Sequence, residues 1–143
     1  MNEFNFMDSE LKRLVLQNKI GAGAGRTVYV CDFVPGLVFK VEDQARSFQN
    51  VIEWETWERI RETKLARWFA PCVAISPCGG ILVMKRTEPL THFPDRMPVF
   101  FTDFKRANYG ELAGEPVCHD YGTNLLMENG MSSRLKKVKW WDL

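Results

Sequence analysis

The chain is short of the residues from which most small catalytic and metal sites are made. Its 143 residues include two histidines, His92 and His119, and four cysteines at positions 31, 72, 78 and 118 that form no CxxC pair. A zinc site has little to be built from, and the cysteines read as reduced, mostly buried thiols. An excess of one charge is missing too, since 19 Lys and Arg face 18 Asp and Glu for a formal net charge of +1. That balance argues against a nucleic-acid partner held by bulk charge, although Arg134, Lys136, Lys137 and Lys139 make a local basic patch. No apolar run approaches the roughly 18 residues of a membrane span, and the opening MNEFNFMDSELKR has no signal-peptide core. The expected location is therefore cytoplasmic. Internal repeats and low-complexity tracts are also absent. What is present, 45% hydrophobic and 26% charged residues, suits one compact domain over residues 1–143 with a real core.

Periodicity orders the elements. Ser9-Glu10-Leu11 opens a short amphipathic helix with Leu11, Leu14 and Val15 on one face, ending before Gly21. Two strands follow, Thr27–Phe33 and Leu37–Val41, around the turn Val34-Pro35-Gly36. From Ser47 to about Thr63 the pattern is helical, with Glu53, Trp57 and Ile60 along one face. Strands Val73–Ser76 and Ile81–Met84 flank the turn Pro77-Cys78-Gly79-Gly80. Beyond residue 88, prolines at 89, 94 and 98 forbid a long helix. The chain then offers Val99-Phe100-Phe101, a polar loop, and a short strand Pro116-Val117-Cys118 before His119-Asp120-Tyr121-Gly122.

One residue stands out against this pattern, because Lys40 interrupts the apolar strand Leu37-Val38-Phe39-Lys40-Val41. A lysine facing a packed interior needs an anionic partner. Glu53 is the natural one, since its helix face continues into Trp57 and Ile60, whereas Glu55 leads to Arg59. Gly21, Gly23 and Gly25 precede this hairpin, and glycine backbone lets N–H groups approach an anion closely. A phosphate held between those amides and Lys40 is the chemistry these residues suit.

The whole arrangement resembles the protein kinase-like superfamily from about Ile20 to Gly122, most of the chain. Ile20-Gly21-Ala22-Gly23-Ala24-Gly25-Arg26-Thr27-Val28 looks like the glycine-rich loop GxGxxGxV, with Arg26 standing where the third glycine should be. Lys40 matches the phosphate-binding lysine of the third strand and Glu53 the helix glutamate that pairs with it. Met84-Lys85-Arg86-Thr87 falls where the adenine hinge would lie. Asp103 and Asn108 have the DxxxxN spacing of the catalytic loop, and Asp120-Tyr121-Gly122 resembles DFG.

The resemblance implies an α+β fold: a kinase-like small lobe of antiparallel sheet and packed helix over about 1–87, and a minimal large-lobe remnant over 88–143. It implies that Gly21, Gly23, Gly25, Val28, Lys40 and Met84 bind ATP, and that Asn108 and Asp120 hold magnesium. Asp103 would act as base, with Lys40 and Glu53 completing the catalytic set. Two carboxylates facing one cleft repel each other, and a magnesium ion between Asp103 and Asp120 would relieve that. Alternatively both aspartates sit on exposed turns, apart.

Several features depart from the family. Phe101 and Thr102 replace the His and Arg that usually precede the catalytic aspartate. Fifteen residues between Thr87 and Asp103 cannot hold the two helices that normally intervene, and the 21 residues after Gly122 cannot build a helical lobe for a peptide acceptor. Three classes stay open: a minimal phosphotransferase acting on a hydroxyl acceptor, small or on a flexible protein; a pseudokinase; or an interaction module of phage or mobile-element type with a protein partner. Trp54, Trp57, Trp68 and Phe69 read as core, and the tail Arg134–Trp141 as a segment that folds back over its tryptophans.

Overall fold

A computed structural model of the chain describes residues 3–23, 25–42 and 48–142. It is an α+β protein whose main sheet has five antiparallel strands in the order β1-β2-β3-β5-β4. These are β1 (Asn18–Gly23), β2 (Arg26–Val30), β3 (Leu37–Glu42), β4 (Cys72–Ile75) and β5 (Ile81–Lys85). Helix α1 (Glu3–Val15) precedes them, and α2 (Gln49–Ile60) lies between β3 and β4 and packs on the sheet. Both expected hairpins are present. Helix α1 begins earlier than Ser9, and its expected apolar face stays in solvent, with Leu11 and Leu14 exposed. Ser47, where the second helical pattern was expected to begin, lies outside the described residues.

Alternation and helical spacing decide what faces inward. In β3, Val38, Lys40 and Glu42 share one face, and all three are buried. On α2 the buried positions are Asn50, Glu53, Thr56, Trp57 and Ile60. The two elements are tied end to end, because the Glu42 carboxylate accepts the Asn50 backbone N–H at 2.5 Å and so satisfies an amide that the helix leaves unpaired.

Residues 88–142 form two small ribbons: β6 (Arg96–Pro98) with β9 (Leu135–Lys137), and β7 (Tyr109–Leu112) with β8 (Glu115–Cys118). The β7–β8 hairpin replaces part of the polar loop expected before Pro116. Its turn is Ala113-Gly114, both at positive φ, which matches the twist of paired strands. Under these ribbons lies an aromatic core in which Phe69 stacks on Phe100 at 5.5 Å and meets Tyr121 edge-on at 4.9 Å. Phe101 is buried there, so the residue two positions before Asp103 serves packing. The tail folds back as expected: Trp140 lies edge-on to Phe93, Phe104 and Tyr109 and donates its indole N–H to the Pro94 carbonyl at 2.7 Å. Among the described residues, no helix is long and apolar enough to cross a membrane.

Glycine 110 fixes how the second part meets the first. Glu88 pairs with Glu111 through two backbone hydrogen bonds of 3.0 and 2.8 Å, pressing the Thr87–Glu88 backbone onto β7. A Cβ on Gly110 would stand 2.7 Å from the Glu88 carbonyl oxygen and closer still to the Thr87 side chain. Gly110→Ala is expected to cost about 1–3 kcal/mol by overpacking. Gly23→Ala, which meets nothing within 4 Å, should stay within about 0.5 kcal/mol of the parent. Urea unfolding of the two variants checks the difference.

Candidate functional site

Strand pairing and helix packing gather the buried charges. Register places Val28 opposite Gly21 on one side and opposite Lys40 on the other, and Gly21, Gly23, Val28 and Lys40 line one cleft. Lys40 Nζ donates to Glu53 Oε1 at 2.9 Å and also to the His119 carbonyl oxygen. The Lys40–Glu53 pair, read from spacing alone, is present as a contact with both side chains buried.

A second cation shares that carboxylate. Arg26 turns inward from the start of β2, with Nη1 donating to Glu53 Oε1 at 2.8 Å and Nη2 to Glu53 Oε2 at 3.1 Å. The same guanidinium donates to Asn50 Oδ1 at 3.1 Å and to Asp120 Oδ1 at 2.9 Å. Tyr121 N–H completes the set on Glu53 Oε2 at 2.8 Å. Asn50 is satisfied as well, since its Nδ2 donates to the Lys40 and Gly79 carbonyls, both at 3.0 Å. Burial alone would push the Glu53 carboxyl up, but the Lys40 charge and the Arg26 hydrogen bonds outweigh it and hold the group down at about 2. Burial opposes the Arg26 charge too, and Glu53 reverses that, so its guanidinium is raised further.

Arg26 stands two residues before Val28 in β2, and the register of β2 on β3 puts both on the face that carries Lys40. The resemblance sets it at the third glycine of a phosphate loop. Instead it is spent on the floor of the site.

Above these groups lies a cleft of about 840 Å³. Gly21, Gly23 and Val28 line its upper side, Lys40 and Arg26 its floor, and Asp103, Asn108 and Asp120 the side formed by residues 88–142. The two aspartates therefore share one cleft. Residues Lys85, Arg86, Thr87, Glu88 and Pro89 line its far edge. Two expected lining residues lie elsewhere. Met84 points into the core with no exposure, because alternation along β5 gives it the same buried side as Leu82. Gly25 takes φ 79° in the β1–β2 turn and is not among the lining residues.

His119 is no free base. Its Nε2 donates to the Ala107 carbonyl at 2.7 Å, so its Nδ1 accepts from the Thr87 hydroxyl at 2.7 Å. Burial, then the nearby Lys40 charge, lowers its pKa and keeps the ring neutral. Nor is Cys72 a nucleophile, since burial pushes its thiol up to about 12. Asp103 is different: it is exposed, and its Oδ1 accepts the Lys105 N–H at 3.2 Å.

Magnesium was expected at Asn108 and Asp120. Among the described residues no group of three His, Cys, Asp or Glu stands together as a metal site. A magnesium ion bound with phosphates needs only one or two carboxylates. Asp120, however, is already paired to a guanidinium, and an ion on it would face that positive charge. As the side chains stand, the donor set does not fit the ion. No protein-family model and no curated protein matches the chain.

Glu53→Gln would leave two buried cations without their shared anion, and about 3–5 kcal/mol of stability should be lost. The pH dependence has a definite sign. Because the folded-state pKa of Glu53 lies below its ordinary 4.5, the network contributes fully above about pH 4.5 and loses that contribution as pH falls toward 2. Urea unfolding of the parent from pH 6 downward should show proton uptake on unfolding over that window, and the Glu53→Gln variant should show less of it.

Proposed function

We propose that the chain is a compact kinase-like protein whose cleft binds a nucleoside triphosphate. The observation that carries this reading is the buried 2.9 Å Lys40–Glu53 pair, whose lysine lines the same cleft as Gly21 and Gly23. A five-stranded antiparallel sheet with one helix packed on it supports a small-lobe assignment. Asp103, Asn108 and Asp120 on the facing side of the same cleft support the large-lobe remnant. The volume suits a ligand of nucleotide size. In this reading the triphosphate lies under Gly21 and Gly23 with its charge toward Lys40, and the base lies along Lys85–Pro89.

A second reading, phosphoryl transfer to a hydroxyl acceptor, is favoured by the exposed Asp103 carboxylate. Asp103 would accept the acceptor's proton, and the lack of a helical platform would restrict acceptors to small molecules or flexible segments. A pseudokinase reading, with binding and no turnover, is favoured by the hold of Arg26 on Asp120.

Thermal unfolding tests the binding claim. ATP at a hundred times its Kd stabilises by about 2.7 kcal/mol, which should raise Tm by roughly 5–11 °C for a domain this size. Gly23→Asp sets a carboxylate on the cleft's upper side, in open space, and should abolish the shift without lowering the unliganded Tm much. No shift of the parent at millimolar ATP, with or without magnesium, would overturn the reading. Turnover of ATP that Asp103→Asn removes would establish the transferase; binding without turnover would establish the pseudokinase.

A further inference from the structure

We propose that the Arg26 guanidinium occupies the place of a divalent cation in this cleft, so that the triphosphate binds without one. The inference rests on the nucleotide reading and adds the ionic form of the ligand to it.

Geometry and charge both lead there. Lys40, Arg26, Glu53 and Asp120 form a closed group of two cations and two anions, joined by ion pairs of 2.8 to 2.9 Å. Four guanidinium hydrogen bonds hold Arg26: two to Glu53, one to Asn50 and one to Asp120. Its side chain is only 6% exposed, and that of Asp120 is 44% exposed. The arginine is therefore the fixed member, and Asp120 reaches inward to it from the cleft wall.

A metal ion on Asp120 has two routes, and both are costly. Bound to the free edge of the carboxylate, it stands near a buried guanidinium whose charge little solvent screens. Bound in place of Arg26 on Asp120, it takes the Nη2 bond from a guanidinium that Glu53 and Asn50 still hold, and sets a second full positive charge beside it in a buried site. The guanidinium already does what an ion would do there: it neutralises Asp120 and places positive charge on the cleft floor beside Lys40. Around the cleft the remaining lining charges are Lys85, Arg86 and Lys105 against Glu88 and Asp103, so the rim too has a small positive surplus for phosphate.

Calorimetric titration of the parent with ATP, in EDTA and in millimolar magnesium, reads the consequence. The two Kd values should agree within about threefold. Asp120→Asn removes the carboxylate an ion would need and leaves every Glu53 hydrogen bond in place, so its own Kd values in EDTA and in magnesium should agree within about threefold, as the parent's do. Arg26→Gly frees Asp120 and should make binding metal-dependent, at least about tenfold tighter with magnesium than in EDTA. Parent binding that is tenfold or more tighter with magnesium, and that loses this gain in Asp120→Asn, would overturn the proposal while leaving the nucleotide site intact. Absence of ATP binding in both buffers would overturn the nucleotide reading itself, and the proposal with it.

Discussion

The Glu53 carboxylate, wholly shielded from solvent, holds two cations and a backbone amide at once. Burying a charge is expensive, and a buried ion pair often contributes no more stability than well-packed apolar side chains of the same volume. Its value here is positional. Through one carboxylate, α2 is set against β2 and β3, and Tyr121 N–H ties in the strand-to-loop corner that carries Asp120. The Lys40 ammonium adds a second tie to the same corner through the His119 carbonyl. A sheet and helix joined by packing alone would leave the facing wall of the cleft free to shift. Joined by directed hydrogen bonds, the wall has one position.

The second wall is built with little chain. Among the described residues no α-helix supports the Asp103–Asn108 segment; the C-terminal tail does. Trp141 N–H donates to the Phe104 carbonyl at 3.1 Å and Arg106 N–H to the Trp141 carbonyl at 2.9 Å, while the Arg106 side chain meets Asp142 at 2.6 Å. Trp140 inserts beside Phe104 and Tyr109 on the inner side of the same segment. Lys136 lies over the Phe104 ring at 5.3 Å, and Lys105 over Trp141 at 5.9 Å. The basic and aromatic composition of the tail, which in isolation suits a partner-binding segment, is used within the chain for cation–ring contacts and packing. A domain of this length can thus hold two sides of a cleft, one by sheet and helix and the other by two short ribbons and a strap.

How far the sequence was legible depends on whether the decisive contact was local. Lys40 and Glu53 were readable because each breaks a clear period, two in the strand and 3.6 in the helix, and a buried charge demands an opposite one. Two of the three hairpins in the five-stranded sheet were readable from their Pro-Gly and Gly-Gly turns; the third, β1 with β2, was not, because the glycines of β1 carry no strand signal. The β7–β8 hairpin was not, because Ala113-Gly114 is a weaker turn signal than an asparagine-glycine pair and Gly110 and Glu111 have low strand propensity; the Glu88 backbone supplies part of the pairing. Met84 lies across from Val38 on the sheet face that carries Lys40, but core packing covers it completely, which no pattern within the strand reveals. The inward turn of Arg26 needed the register of β2 against β3, a non-local fact that spacing within one strand does not contain.

That register changes the electrostatics of the two aspartates. Side by side in one cleft they would repel, and the repulsion made a bound ion the expected remedy. The chain deals with them separately. Asp120 is neutralised by Arg26 at 2.9 Å, and Asp103 is left in solvent, where screening is strong and the Lys105 amide orients it. With one carboxylate paired and the other hydrated, little repulsion is left for a metal to relieve. A glycine at position 26 would have left Asp120 unpaired at the cleft wall, and an added ion would then be the only positive charge on it. Arg26 and Asp120 therefore act as one charge pair, in which the cation on the carboxylate belongs to the polypeptide.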